Sequence, residues 1–229
     1  LGAVGTYLAL AGRPDLTAWC VLAAALLDFL DGFAARMLNA YSAIGKDLDS
    51  LADLVSFGVA PAAVFSSMLH QGFSGQWGGD FWTLTLGRQV LVLLPFVLVV
   101  FSALRLAKFN NDSRQTENFI GLTTTATGMF TVSLAYLVYH GQLDALRWNS
   151  VGVVLGLVAV FSALLVSEIP MFSLKIKHLR WKGNQHRYVL LLISLVAVVL
   201  FKAGALAVIV PAYVVYSLVL YLSAGTKSR

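Results

Sequence analysis

The sequence predicts an all-α fold, a polytopic membrane helical bundle, and three observations carry the prediction. Of the 229 residues, 59% are hydrophobic and 12% charged, with a mean hydropathy of +0.80. That leaves too little polar surface to cover a soluble globule of this size. The apolar residues fall into long runs, several of them near the roughly 20 residues that a helix needs to cross the hydrocarbon core. The basic residues sit in the short breaks between those runs and gather on one side of the presumed bilayer.

In chain order the apolar runs place helices over 1–11, 15–38, 47–70, 87–109, 119–140, 150–168, 187–203 and 205–223. The opening run Leu1 to Leu10 is too short to span alone and shows no cleavable signal pattern, so the first helix is expected to be truncated, with its start upstream. Gly12-Arg13-Pro14-Asp15 separates it from the second helix. The stretch Asn39 to Lys46 turns the second helix back as the third, which makes the two antiparallel neighbours. Glycine-rich Gln71 to Gly79, then Asn110 to Asn118, Gly141 to Asn149 and basic Lys175 to Arg187 supply the remaining breaks. Gly152 and Gly156 match a small-residue spacing read as packing within the bundle.

Alternate loops must lie on opposite faces of the membrane, so the Lys and Arg count decides orientation. Twelve fall on the side that holds Arg36, Lys46, Arg105, Lys108, Arg114, the Lys175 to Arg187 group, Lys227 and Arg229. Four, Arg13, Arg88, Arg147 and Lys202, fall on the other. The richer side is read as cytoplasmic. The net charge of +5 is then topology and contact with anionic lipid, not nucleic-acid binding. The same assignment puts Asn111-Asp112-Ser113 in a cytoplasmic loop, out of reach of glycosylation. Cys20 has no cysteine partner and is read as packing, and His70, His140, His178 and His186 as interfacial residues without metal-ligand spacing.

One stretch does not fit a purely structural bundle: Asp28-x2-Asp31-Gly32-x2-Ala35-Arg36-x8-Gly45-x3-Asp49-x3-Asp53. Each carboxylate costs about 2.5 to 3.5 kcal/mol at the centre of an inserted helix, so four of them need a compensating partner. Asp28 and Asp31 are one turn apart on the second helix, and Asp49 and Asp53 one turn apart on the third, so four acids can converge across one groove. Hard oxygen ligands without His or Cys point to magnesium or manganese. Gly32, Ala35 and Gly45 are small enough to let a bulky ligand approach the backbone, and Arg36 is placed to meet a phosphate.

This pattern resembles the signature of the CDP-alcohol phosphotransferase family at every fixed position and both long gaps. The resemblance implies a six-helix membrane core over 1–170, two divalent metal ions, Mg2+ or Mn2+, on Asp28, Asp31, Asp49 and Asp53, and Asp53 as the base that activates the incoming alcohol. It implies room for the CDP-lipid around Gly32, Ala35, Arg36 and Gly45, and a homodimer in a bacterial or archaeal cytoplasmic membrane. Residues 171–186 then form a basic interfacial loop touching membrane lipids, and 187–229 a C-terminal transmembrane hairpin. Leu48 to Pro61, Arg105-Leu106-Ala107-Lys108-Phe109-Asn110 and Ser167-x2-Pro170-x2-Ser173-x-Lys175 are similar to the phosphatidylserine synthase branch. That branch uses CDP-diacylglycerol and L-serine. Gly121-Leu122-Thr123-Thr124-Thr125 departs from the expected Gly-Leu-Pro-Thr-Pro, and losing both prolines is expected to relax the start of the fifth helix.

Serine needs a cation for its carboxylate and an acceptor for its ammonium. Arg105 and Lys108, one turn apart, with Asn110 beyond them and Ser56 three residues past Asp53, are the candidates. Glycerol 3-phosphate or inositol phosphate as acceptor would want more cations than the apolar Phe57 to Pro61 stretch offers. A cation transporter would need acids that continue toward the far face, and the sequence has none in a position to do so.

Overall fold

The structure, a computed structural model, describes residues 1–40, 42–112, 119–171 and 185–225. Besides the one-turn helix Ala145–Trp148, its α-helices are α1 (Gly2–Leu10), α2 (Pro14–Leu38), α3 (Ala43–Ser74), α4 (Leu86–Asn111), α5 (Thr124–Tyr139), α6 (Val151–Val166), α7 (Gln185–Phe201) and α8 (Leu206–Gly225). They correspond one for one to the predicted helices, and the protein is a polytopic helical bundle. At 25, 32 and 26 residues, α2, α3 and α4 are long and apolar enough to cross a membrane.

Helix ends differ from expectation where side chains cap them. Asn39 adopts a left-handed conformation (φ 51°) that stops α2. Ser42 is extended, and its Oγ accepts from the Gly45 backbone N–H at 3.0 Å, so α3 starts a full turn before the predicted position 47. At the other end α3 continues past 70 until Gly75 turns left-handed (φ 79°). The fifth helix begins at Thr124 instead of 119, because Phe119–Ile120 pairs antiparallel with Pro170–Met171 in a two-residue ladder. Its start is not relaxed by the missing prolines, since Thr123 Oγ caps it by accepting from Ala126 N–H at 3.2 Å. Gly121 (φ 74°) lies so close to the carbonyls of Leu165 and Ser167 that a Cβ there would overlap them.

The second half of α3 is the centre of the bundle. Every residue from Ala60 to His70 is buried, which a helix tolerates only when neighbours surround it. Helices α1, α2, α4, α5 and α6 pack against it, and the core runs through Phe57, Phe65, Met68, Leu98, Leu122 and Leu134. Helix α8 and the Lys202–Gly204 turn before it dock on α5: Ser133 Oγ donates to the Ala203 carbonyl at 2.8 Å, and Gly204 lies against Leu137.

Two packing expectations are corrected. Gly152 and Gly156 are exposed, with open space where a Cβ would go, because α6 buries the opposite face through Val154, Val158, Phe161 and Leu165. His70 is buried, unlike exposed His140, which stacks on Tyr136. Phe172 to Asn184 lie outside the described residues, and with them most of the expected interfacial loop, including Ser173, Lys175, Lys177, His178, Arg180 and Lys182. Ser113, Arg114, Lys227 and Arg229, and the side chains of His186 and Arg187, lie outside them as well.

Candidate active site

The four acids come together because two helices meet at a short turn. Asp28 and Asp31 lie in the second half of α2, and Asp49 and Asp53 in the first half of α3, directly across the turn that Asn39 and Ser42 shape. Asp28, Asp31 and Asp49 each offer a carboxylate oxygen within 4.8 Å of the others. Asp28 is half-buried, while Asp31 and Asp49 face out of the bundle. Asp53, half-buried, lies within electrostatic reach of the other three and of the Arg105 guanidinium.

Three carboxylates this close repel one another unless a proton or a cation intervenes. The donors are all hard oxygens, no His or Cys joins them among the described residues, and the cluster opens outward. Such a set fits a hard divalent cation. Gly32 and Ala35 follow Asp28 and Asp31 by one turn each, and a Cβ added at Gly32 would have only the Arg36 Nη1 near it, at 3.6 Å. Arg36 is exposed in the last turn of α2. Gly45 is exposed too, and a Cβ there would stand 2.9 Å from Ser42 Oγ, so its small size also serves the cap.

The expected acceptor residues divide. Arg105 is buried to 5% exposure within electrostatic reach of Asp53, with its guanidinium 4.8 Å from the Phe109 ring centroid and its Nη2 without a hydrogen-bond partner among the described residues. Lys108 is exposed and donates to the Val166 carbonyl at 3.4 Å. These two line a recess with Asp112, Ser167 and Glu168. Ser56 is buried away from them, in contact with Gly2 of α1. Asn110 engages α3: its Nδ2 donates to Ser50 Oγ at 2.8 Å.

Sequence reasoning missed one backbone device. Directly after Asp53, residues Leu54–Val59 form a π-helical turn, which rotates the buried half of α3 relative to its acidic half. Gly128 of α5 packs on this turn so tightly that a Cβ would stand 3.1 Å from Phe57 Cα, and Gly58 faces Ser102 of α4 in the same way. Asp112, beyond the end of α4, and Glu168, far from Arg105 in the sequence, join it in the folded chain by lining the same recess.

With this geometry in view, a family model described as CDP-alcohol phosphatidyltransferase matches residues 3–167. The chain is similar to a CDP-diacylglycerol–serine O-phosphatidyltransferase of Helicobacter pylori (strain J99), 31% identical over 226 residues that cover 97% of this chain and 86% of the relative. A Mycobacterium tuberculosis (strain H37Rv) protein of the same name is 38% identical over 178 residues, 74% of this chain and 56% of its own. One of Saccharomyces cerevisiae is 36% identical over 132 residues, 54% and 42% respectively.

Proposed function

The chain belongs to the CDP-alcohol phosphatidyltransferase family, and from that premise we infer that it transfers a phosphatidyl group from CDP-diacylglycerol to L-serine. The products are phosphatidylserine and CMP. The observation that carries this is the convergence of Asp28, Asp31 and Asp49 within 4.8 Å, from two helices, in a chain similar along almost its whole length to a relative named CDP-diacylglycerol–serine O-phosphatidyltransferase.

Asp28, Asp31, Asp49 and Asp53 would hold the divalent ions, Mg2+ or Mn2+. When bound, such ions neutralise charge on a pyrophosphate and on the departing phosphate of CMP. Asp53 takes the proton from the serine hydroxyl as the new oxygen–phosphorus bond forms and the bond to CMP breaks. Arg105, buried beside Asp53 with an unengaged Nη2, offers a charge-assisted hydrogen bond to the serine carboxylate, and Lys108 adds a second cation at the rim. The recess beside them brings in Asp112 and Glu168, of the sign that an ammonium requires. That mixture suits a zwitterion better than a second phosphate. Gly32, Ala35 and Gly45 leave room for the nucleotide, and Arg36 meets a phosphate of the CDP-lipid.

The active end faces the cytoplasm of a bacterial or archaeal cell, a reading supported by the twelve-to-four split of basic residues. The protein acts as a homodimer, as the family resemblance implies. Incubating the purified protein with CDP-diacylglycerol and, separately, serine, glycerol 3-phosphate or inositol phosphate tests the acceptor. Phosphatidylserine is the expected lipid product; phosphatidylglycerol phosphate or phosphatidylinositol phosphate formed in its place would overturn serine.

A further inference from the structure

The acidic half of α3 has no buried residue, although it carries two of the four carboxylates. Burial therefore does not fix its position. A ring of side-chain hydrogen bonds ties it to α4. Asn110 Nδ2 donates to Ser50 Oγ at 2.8 Å, Ser50 Oγ donates to the Lys46 carbonyl at 3.2 Å, and Lys46 Nζ donates back to the Asn110 carbonyl at 2.9 Å. The directions are consistent, because the single Ser50 hydroxyl hydrogen serves Lys46 while its lone pair receives Asn110. Ser50 adjoins Asp49, and Lys46 precedes Asp49 by one turn. Both α4 ends of the ring belong to Asn110, five residues from Arg105.

We propose that Asn110, Ser50 and Lys46 form a bracket that sets the position of Asp49 in the carboxylate cluster, so that Asn110 is a positioning residue and not a ligand of the acceptor. One hydrogen of its side-chain amide is engaged on Ser50 and its main-chain carbonyl on Lys46, so the orientation of Asn110 is set from α3. The bracket also couples the acidic helix to the helix that bears Arg105, so the metal side and the acceptor side of the site keep one spacing. The inference rests on the reading of the four acids as a metal site.

The test titrates Mn2+ alone into the purified, detergent-solubilised protein, with bound and free ion separated by electron paramagnetic resonance. Asn110→Ala is expected to weaken Mn2+ binding about tenfold or more, the range seen when residues that orient metal ligands are lost. Ser50→Ala, which removes one hydroxyl and nothing else, should match it, and the double variant should be no weaker than either single one because all three break the same ring. The KM for serine in Asn110→Ala, measured at saturating metal, should stay within about twofold. Unchanged Mn2+ affinity in both single variants overturns the bracket, and so does a raised serine KM with normal metal binding. If the wild-type protein itself binds no Mn2+, the metal reading falls and the bracket with it, whereas a binding wild type with indifferent variants removes the bracket alone.

Discussion

Asp53 and Arg105 are the pair of residues on which the chemistry turns, one half-buried at the end of the acidic stretch and the other almost fully buried beside it. Asp53→Asn keeps the size of the side chain and removes its capacity to accept the serine proton. A positioned base contributes about 10² to 10⁴ in rate, so CMP release should fall by at least about 100-fold while CDP-diacylglycerol still binds. A wild-type turnover number in that variant would take Asp53 out of the base role. Arg105→Lys keeps the charge but loses the planar fork that matches a carboxylate. The serine KM is expected to rise roughly tenfold with little change for the CDP-lipid, and an unmoved serine KM would disconnect Arg105 from the acceptor. The acids were legible because spacings of three and four residues on helices joined by a short turn leave them one place to converge. Arg105 was legible as a cation, but not as one buried under the cluster, since burial depends on which helices surround α4.

At the scale of the element, α3 does two jobs with two halves, and the π turn at Leu54–Val59 joins them. Its acidic half is held by side-chain hydrogen bonds at the surface, and its apolar half is fixed by burial on all sides. The turn depends on close approach by Gly128, where a larger residue would press on Phe57 and Pro61. Gly128→Val should cost about 1 to 3 kcal/mol through overpacking, lowering the midpoint of thermal unfolding by several degrees. Gly152→Val, placed where nothing stands within 4 Å, should leave that midpoint unchanged. Equal effects from the two would show that the π turn is not held by this contact. Nothing in an apolar run distinguishes a π turn from an α turn, so the sequence could not announce it. Nor could it announce the Asn110–Ser50 bond, whose partners are 60 positions apart. The expected link between Gly152 and the interior failed for a related reason: small residues at helical spacing mark a face but not the side on which the bundle lies.

Across the whole molecule, the bundle places the four site carboxylates at one end and surrounds the helix that carries Asp49 and Asp53 with α1, α2, α4, α5 and α6. Composition and apolar run lengths were enough to read the helices and their order, because a bilayer permits few alternatives to spanning helices. The docking of α8 and the Lys202–Gly204 turn on α5, through Ser133 and Gly204, was not readable from their generic apolar sequence. Everything the fold positions leads to one reaction, and a single measurement addresses it. Purified protein in detergent, given CDP-diacylglycerol, serine and Mn2+ or Mg2+, should yield CMP and phosphatidylserine in equal amounts, with both products lost when serine is omitted or the ion is chelated. CMP release that proceeds without phosphatidylserine, or that continues undiminished in excess chelator, would contradict the account.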